Sequence, residues 1–269
     1  SIVIAKAILS ILSLVPLAWG LYRRTAVEAW LGLHSATFVL GGGWVLTRLV
    51  PFLVLYGILG YTPTSDVNGF WDEASKASQG LMVYRDFWSP YSPFYAYFLG
   101  VWLWIWYNPK MIVLAMCVMD GLALWASYVF YGSLVSRSQR LFRAVVYLML
   151  PGTWILCVVG AQEDVWMWGF VVVAYLLSMA QKHRLLAYGG LLALGLLTTK
   201  AIFVLILIPL VLLHPQRFRL MAIMIALGLP VLAWVYVYAG MEFLQPLDEA
   251  KVLRAPNLLS VLNPWFLDR

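Results

Sequence analysis

The feature that most constrains this fold is a polar stretch at residues 61–91, which interrupts an otherwise apolar chain. Four of the twelve carboxylates in the chain, those of Asp66, Asp72, Glu73 and Asp86, lie in this stretch. Because 63% of the residues are hydrophobic and only 11% are charged, the composition is typical of an integral membrane protein. The sequence therefore predicts a membrane protein in which residues 61–91 form a large loop outside the bilayer.

The basic residues occur in short clusters between apolar segments, and their positions predict the topology. Four such loops carry nine basic residues against one acidic residue, Glu28, which places them on the cytoplasmic side. The nine are Arg23, Arg24, Arg137, Arg140, Arg143, Lys182, Arg184, Arg217 and Arg219. The loop at 61–91 and an acidic turn at 162–164 are then extracytoplasmic. Because the positive charge follows the topology, it gives no reason to expect a nucleic-acid partner.

The apolar segments predict an all-α fold, a polytopic transmembrane helical bundle that forms a single domain over residues 1–269. Full spans are expected at 2–22, 36–59, 111–133, 141–159, 165–181 and 219–240. Residues 92–107 would reach only about 24 Å against a hydrocarbon core of ~30 Å, so they predict a short re-entrant or interfacial helix. Residues 185–216 are too long for one span and predict two short helices with Lys200 at their outer turn. The tail at 241–269 is expected to be amphipathic and outside.

Within the outer loop, Phe70, Ala74, Ala77 and Leu81 recur at helical spacing, with charged residues on the other side. This pattern predicts an amphipathic helix lying in the membrane interface, which Gly80 would end. At the start of this helix Asp66 has two interpretations, a helix cap or a catalytic carboxylate.

The amino-acid sequence of this loop resembles the first outer loop of the C-type (GT-C) membrane glycosyltransferases. The resemblance is carried by Asp66, then Phe70, Ala74, Ala77 and Gly80, then Tyr84-Arg85-Asp86-Phe87, and finally Pro90-Tyr91-Ser92-Pro93. The last turn has one proline fewer than the usual pair.

Two further segments resemble the same superfamily. Gln162-Glu163-Asp164 is similar to its acidic second outer loop, and Thr199-Lys200 is similar to its threonine-lysine turn near the lipid phosphate. Since members of the superfamily continue with several more spans, the chain resembles the N-terminal portion of such a protein or a short member.

The resemblance implies transfer of a sugar from a polyprenyl-phosphate donor on the extracytoplasmic face, as in mannosyltransferases. Asp66 would be the catalytic base, and Arg85 and Lys200 would hold the departing phosphate. Glu163 and Asp164 would orient the acceptor, the base or a divalent metal, and these alternatives stay open.

Two plainer interpretations stand beside this one. Asp164 also suits the start of a helix, and Lys200 also suits a lysine that extends to the membrane interface. A second function is a non-catalytic subunit of a larger membrane complex that keeps the GT-C fold as a scaffold. The expected partners are membrane lipid with polyprenyl-phosphate sugar in the first case, and other protein subunits in the second.

Two ionisable residues, Arg48 and Asp120, lie near the middle of predicted spans. An unpaired charge at the bilayer centre costs at least ~2.5 to 3.5 kcal/mol. Because the two have opposite charges and similar depth, we expect them to form a structural ion pair between the spans at 36–59 and 111–133.

Overall fold

A computed structural model describes residues 2–64, 66–180 and 184–249, and within these ranges the chain is almost entirely helical. The twelve main helices are α1 (Ile2–Tyr22), α2 (Arg24–Gly32), α3 (Ala36–Ile58), α4 (Asp66–Ser78), α5 (Tyr95–Leu103), α6 (Pro109–Phe130), α7 (Arg137–Met149), α8 (Pro151–Val159), α9 (Asp164–Ala180), α10 (Arg184–Thr198), α11 (Phe203–Leu212) and α12 (Arg217–Ala239). A 3-10 turn at Gly240–Leu244 and a short α13 (Pro246–Glu249) follow. No strand occurs in the described ranges, so the predicted all-α fold is confirmed. Lys182 and most of the predicted tail at 241–269 lie outside them.

In the part of the chain that the structure describes, three helices are long and apolar enough to cross a membrane, and a fourth arises if a bent pair is one span. The three are Ala36–Ile58, Pro109–Ser133 and Arg217–Leu244, and the pair α7 and α8 is bent by 61° at a break before Pro151. Because proline has no N–H to donate, the helix is interrupted there. The segment predicted at 2–22 is the helix Ile2–Tyr22, and the segment predicted at 165–181 contains the helix Asp164–Ala180. Several apolar helices that could span a membrane are consistent with an integral membrane protein.

The predicted amphipathic helix of the outer loop is α4. Its buried face contains Phe70, Ala74 and Ala77, as the spacing predicts. The helix ends in a Schellman motif at Gly80, whose φ is +83°. There the N–H of Leu81 donates to the carbonyl of Lys76 at 3.2 Å. Leu81 was expected on the buried face, but it follows the end of the helix and is 38% exposed.

The short helix predicted at 92–107 and the pair of short helices predicted at 185–216 are both present in the structure. The segment at 92–107 contains the nine-residue helix α5, whose residues Tyr95, Leu99 and Leu103 are buried against α4 and α6. The segment at 185–216 forms α10 and α11, with Lys200 in the turn between them. Hydrogen bonds join the turn before α5 to the turn between α10 and α11.

The largest hydrophobic core lies beneath α4. It brings together Phe70 of α4, Tyr95 of α5, Met116 of α6, Trp154 of α8 and Trp166 of α9. Around it, α9 packs against both α6 and α10, and α10 packs against α12. α4 and α9, which begin at Asp66 and Asp164, therefore share one core, and α10 and α11, which flank Lys200, pack with α9 in a neighbouring cluster.

Arg48 and Asp120 are brought together inside the bundle, with Arg48 Nε 2.8 Å from Asp120 Oδ2. Arg48 also donates to the Leu148 carbonyl at 3.3 Å and to Thr153 Oγ1 at 3.2 Å. The second carboxylate oxygen of Asp120 accepts a hydrogen bond from the Tyr147 hydroxyl. The pair thus joins α3 and α6 to α7 and α8 at their bend.

We expect Arg48→Ala and Asp120→Ala each to destabilise the protein by about 3 to 5 kcal/mol, because each leaves a buried charge without its partner. The double variant should lose less than the sum of the two. Equilibrium unfolding in detergent micelles would measure this. The exposed pair of Arg24 and Glu28 is the matched control, and its coupling should be about 0.5 kcal/mol or less. Additive losses for Arg48 and Asp120 would contradict a structural ion pair.

Candidate functional site

Asp66 lies at the start of α4, is exposed to solvent, and accepts a hydrogen bond from Gln162 Nε2. Gln162 belongs to the turn between α8 and α9, almost one hundred residues further along the chain. The carboxylate therefore has a tertiary partner. This contact joins the polar stretch at 61–91 to the predicted acidic turn.

Lys200 contacts both carboxylates of that acidic turn. Its Nζ pairs with Glu163 Oε1 and lies 3.3 Å from Asp164 Oδ1. Glu163 is 1% exposed, whereas the side chain of Asp164 is 59% exposed. Burial raises the pKa of Glu163, and Lys200 opposes that rise. Burial also lowers the pKa of Lys200, but the two carboxylates raise it by more, so that the ammonium stays charged.

The turn that carries Lys200 is bound directly to the turn at 91–93. The N–H of Ser92 donates to the Thr199 carbonyl at 3.1 Å, and the N–H of Phe94 donates to the Leu197 carbonyl at 2.8 Å. Lys200 Nζ lies 5.8 Å from the centroid of the Tyr91 ring, close enough for a cation–π contact. The three sequence motifs therefore meet at Lys200, although they are far apart in the chain.

Tyr91, Tyr95 and Phe70 form a cluster of aromatic rings beneath the charged residues, the aromatic floor. The Tyr91 ring stacks on that of Tyr95 with centroids 4.3 Å apart, and Phe70 meets both rings edge-on at 5.4 Å. Burial raises the pKa of the Tyr91 phenol, and the nearby carboxylates raise it further. Tyr91 therefore stays protonated near neutral pH.

Several buried polar atoms at this floor make no hydrogen bond within the described residues. They are the Tyr95 hydroxyl, Trp166 Nε1 and both carboxylate oxygens of Glu163, although Oε1 contacts Lys200 as an ion pair. Unsatisfied buried polar groups are rare in native proteins and concentrate at functional positions. The site therefore offers a donor–acceptor set that a polar ligand could use.

Two non-glycine residues in the described ranges have a positive φ, and both flank this site. Tyr84 has φ +66° and Ala161 has φ +48°. Such conformations are costly for residues with a Cβ and cluster at functional sites. Ala161 directly precedes Gln162, and the hydroxyl of Tyr84 donates to the carbonyl of Tyr91. The backbone on both sides is thus held in a specific shape.

Glu73 is a buried residue of the site, and the helical spacing of apolar residues in the sequence does not predict its burial. It lies on the polar side of α4, yet it is only 5% exposed and accepts a hydrogen bond from Ser89 Oγ at 2.7 Å. Burial raises the pKa of Glu73 to about 7, while Ser89 opposes the rise. The segment around Ser89 covers this side of the helix, and no local signal in the sequence reports that tertiary contact.

Arg85 differs from the prediction. Its guanidinium pairs with the neighbouring Asp86, with Nη2 to Oδ2 at 2.8 Å and Nε to Oδ1 at 2.9 Å. No contact between Arg85 and Asp66, Asp164 or Lys200 occurs in the part of the chain that the structure describes. The carboxylate of Asp86 is fixed by the N–H of Met82 at 2.7 Å, so the arginine is held at the tight turn rather than over the site.

The described residues contain no group of three or more histidine, cysteine or acidic side chains that could hold a metal ion. Comparisons of the chain with known protein families, with curated proteins and with solved structures found no match. The function proposed below rests on the geometry of the site.

We expect Glu73 to make stability depend on pH. Because its pKa is raised from 4.5 to about 7 on folding, the folded state holds the proton more tightly. Its contribution is complete below about pH 4.5 and is lost as the pH rises through 7. Glu73→Gln should remove this loss, so that the variant melts at a higher temperature than the wild type at pH 8. Thermal unfolding between pH 5 and 8 would measure it.

Asp72→Asn is the control for the Glu73 experiment. Asp72 is adjacent in sequence, but its side chain is 60% exposed and pairs with Lys76. This variant should keep most of the wild-type pH dependence, because burial raises the pKa of Glu73 more than the nearby Asp72 charge does. If Asp72→Asn flattened the curve as much as Glu73→Gln does, Glu73 would be excluded as the source of the pH dependence.

Proposed function

We propose that this chain is a membrane glycosyltransferase of the GT-C type that transfers a sugar from a polyprenyl-phosphate donor on the extracytoplasmic face. The observation that carries the proposal is that three separate segments meet at one place. Asp66 contacts Gln162 of the acidic turn, and Lys200 contacts Glu163, Asp164 and the Tyr91 ring. The charge distribution supports an extracytoplasmic position of these residues. Along the chain, each basic loop is separated from them by an apolar helix, and basic loops favour the cytoplasmic side.

The proposed chemistry needs a base near the acceptor and a cation near the leaving group. Asp66 takes the proton of the acceptor hydroxyl as that oxygen bonds to the anomeric carbon of the sugar. The bond between this carbon and the phosphate oxygen breaks, and the polyprenyl phosphate leaves with the electron pair. Lys200 stabilises the negative charge of the departing phosphate. Gln162 holds Asp66 in position by its hydrogen bond.

The buried polar atoms at the aromatic floor support binding of a polar ligand next to Lys200 and Glu163. The Tyr95 hydroxyl and Trp166 Nε1 are donors without a hydrogen-bonded partner in the described chain, and Glu163 Oε2 is an acceptor without one. A sugar presents hydroxyl groups that both donate and accept, so it satisfies such a set better than an apolar ligand does.

A second candidate function is a non-catalytic subunit that keeps this fold as a scaffold. It is favoured by the ion pairs of Lys200, whose charge is already compensated by two carboxylates. In that case the cluster would hold three segments together and would bind no lipid phosphate. Binding of polyprenyl phosphate to the purified protein separates the two candidates.

We expect Asp66→Asn to lower sugar transfer by roughly 100- to 10,000-fold, because the amide cannot accept the proton. Binding of the donor should change little, since the exposed side chain keeps its size. The measurement is transfer from radiolabelled polyprenyl-phosphate mannose to a mixture of hydroxyl acceptors. Asp72→Asn should transfer at the wild-type rate, and wild-type turnover by Asp66→Asn would remove Asp66 from the mechanism.

We expect the double variant Lys200→Gln/Glu163→Gln to bind polyprenyl phosphate at least about ten-fold more weakly, because a charged hydrogen bond to the phosphate is lost. Removing both charges leaves no unpaired buried carboxylate, so the melting temperature should stay close to that of the wild type. Titration with polyprenyl phosphate in micelles would measure binding. Unchanged affinity would exclude Lys200 from the phosphate site, and an absence of binding by the wild type would favour the scaffold.

A further inference from the structure

A cavity lies away from the candidate site, between the C-terminal half of α6, the beginning of α7 and the beginning of α9. Its volume is about 240 Å³. Its wall is largely apolar, including Ala123, Leu124 and Val165, and it also carries Arg140 and Arg143. The cavity therefore combines an apolar surface with two cations at the end of a helix long enough to cross a membrane.

Neither arginine has a carboxylate partner among the described residues. Arg140 donates from Nη1 to the Tyr128 carbonyl at 3.1 Å, and its guanidinium lies 4.5 Å from the centre of the Tyr128 ring. Its Nε is buried and makes no hydrogen bond. Arg143 is exposed and lies 5.9 Å from the centre of the Tyr131 ring. Because each guanidinium has five N–H donors, most of this donor capacity is unused.

The other polar groups around the cavity are satisfied by each other. The hydroxyl of Ser127 donates to the Ala123 carbonyl at 2.7 Å and accepts from Trp168 Nε1 at 2.8 Å. At the inner end, the hydroxyl of Tyr147 donates to Asp120, whose charge is taken by Arg48. No carboxylate therefore compensates the two arginines from within the cavity.

We propose that this cavity binds the phosphate group of an anionic phospholipid, with the first part of an acyl chain along the apolar wall. Two guanidinium groups match a phosphate because they donate in pairs to its oxygens. A soluble phosphate has no use for the apolar wall, and a choline head group would bring a third positive charge to the two arginines. The position at the end of α6 is the depth at which lipid head groups lie.

The proposal can be tested by native mass spectrometry of the full-length protein released from micelles that contain phosphatidylglycerol or phosphatidylcholine. The wild type should retain phosphatidylglycerol in preference to phosphatidylcholine. Arg143→Gln should reduce this preference roughly five-fold, and Arg140→Gln/Arg143→Gln should reduce it further. Arg143→Gln is informative by itself because Arg143 is exposed, whereas Arg140 also caps α6 through the Tyr128 carbonyl.

The matched control is Arg217→Gln/Arg219→Gln, which removes two charges from another basic loop. It should retain the wild-type preference. An equal loss in both double variants would overturn the proposal, since the effect would then follow net charge. Displacement of phosphatidylglycerol by about 10 mM inorganic phosphate would also overturn it. The site would then bind a free anion rather than a lipid.

Discussion

The site depends on one interaction, the contact between the buried carboxylate of Glu163 and the ammonium of Lys200. A carboxylate that is 1% exposed is costly to bury unless a cation and hydrogen bonds compensate it. The cation comes from a turn almost forty residues further along the chain. Its position is fixed by backbone hydrogen bonds from Ser92 and Phe94 to that turn. Burial of one charge thereby holds three loops in one arrangement.

This arrangement is built on a rigid base. The aromatic rings of Phe70, Tyr91 and Tyr95 pack under the charges, and the same core continues to Trp154 and Trp166. Close packing of this kind transmits small displacements, so a change in the core would move the charged groups above it. The ion pair between α3 and α6 anchors the other side of the bundle at the bend between α7 and α8.

The charge balance of the cluster has a consequence for the proposed chemistry. Lys200 is shared between a buried and an exposed carboxylate, and a bound phosphate would compete with Asp164 rather than with Glu163. The exposed contact is longer, at 3.3 Å, and more accessible to water, so it is the weaker of the two. A donor phosphate could replace Asp164 while Lys200 stays anchored to Glu163. Asp164 would then be free to act on the acceptor.

The sequence by itself determined the helices and the polar stretch at 61–91, because apolar periodicity, length and turn residues are local signals. It also predicted the partnership of Arg48 with Asp120, since a charge inside an apolar span needs an opposite charge at its own depth. Only the tertiary structure decided which charges are buried. Glu73 and Asp72 are adjacent on one helix, yet only Glu73 is covered, by the segment around Ser89. The pairing of Arg85 with Asp86 was also decided by the tertiary structure, because the tight turn directs the arginine side chain to its neighbour.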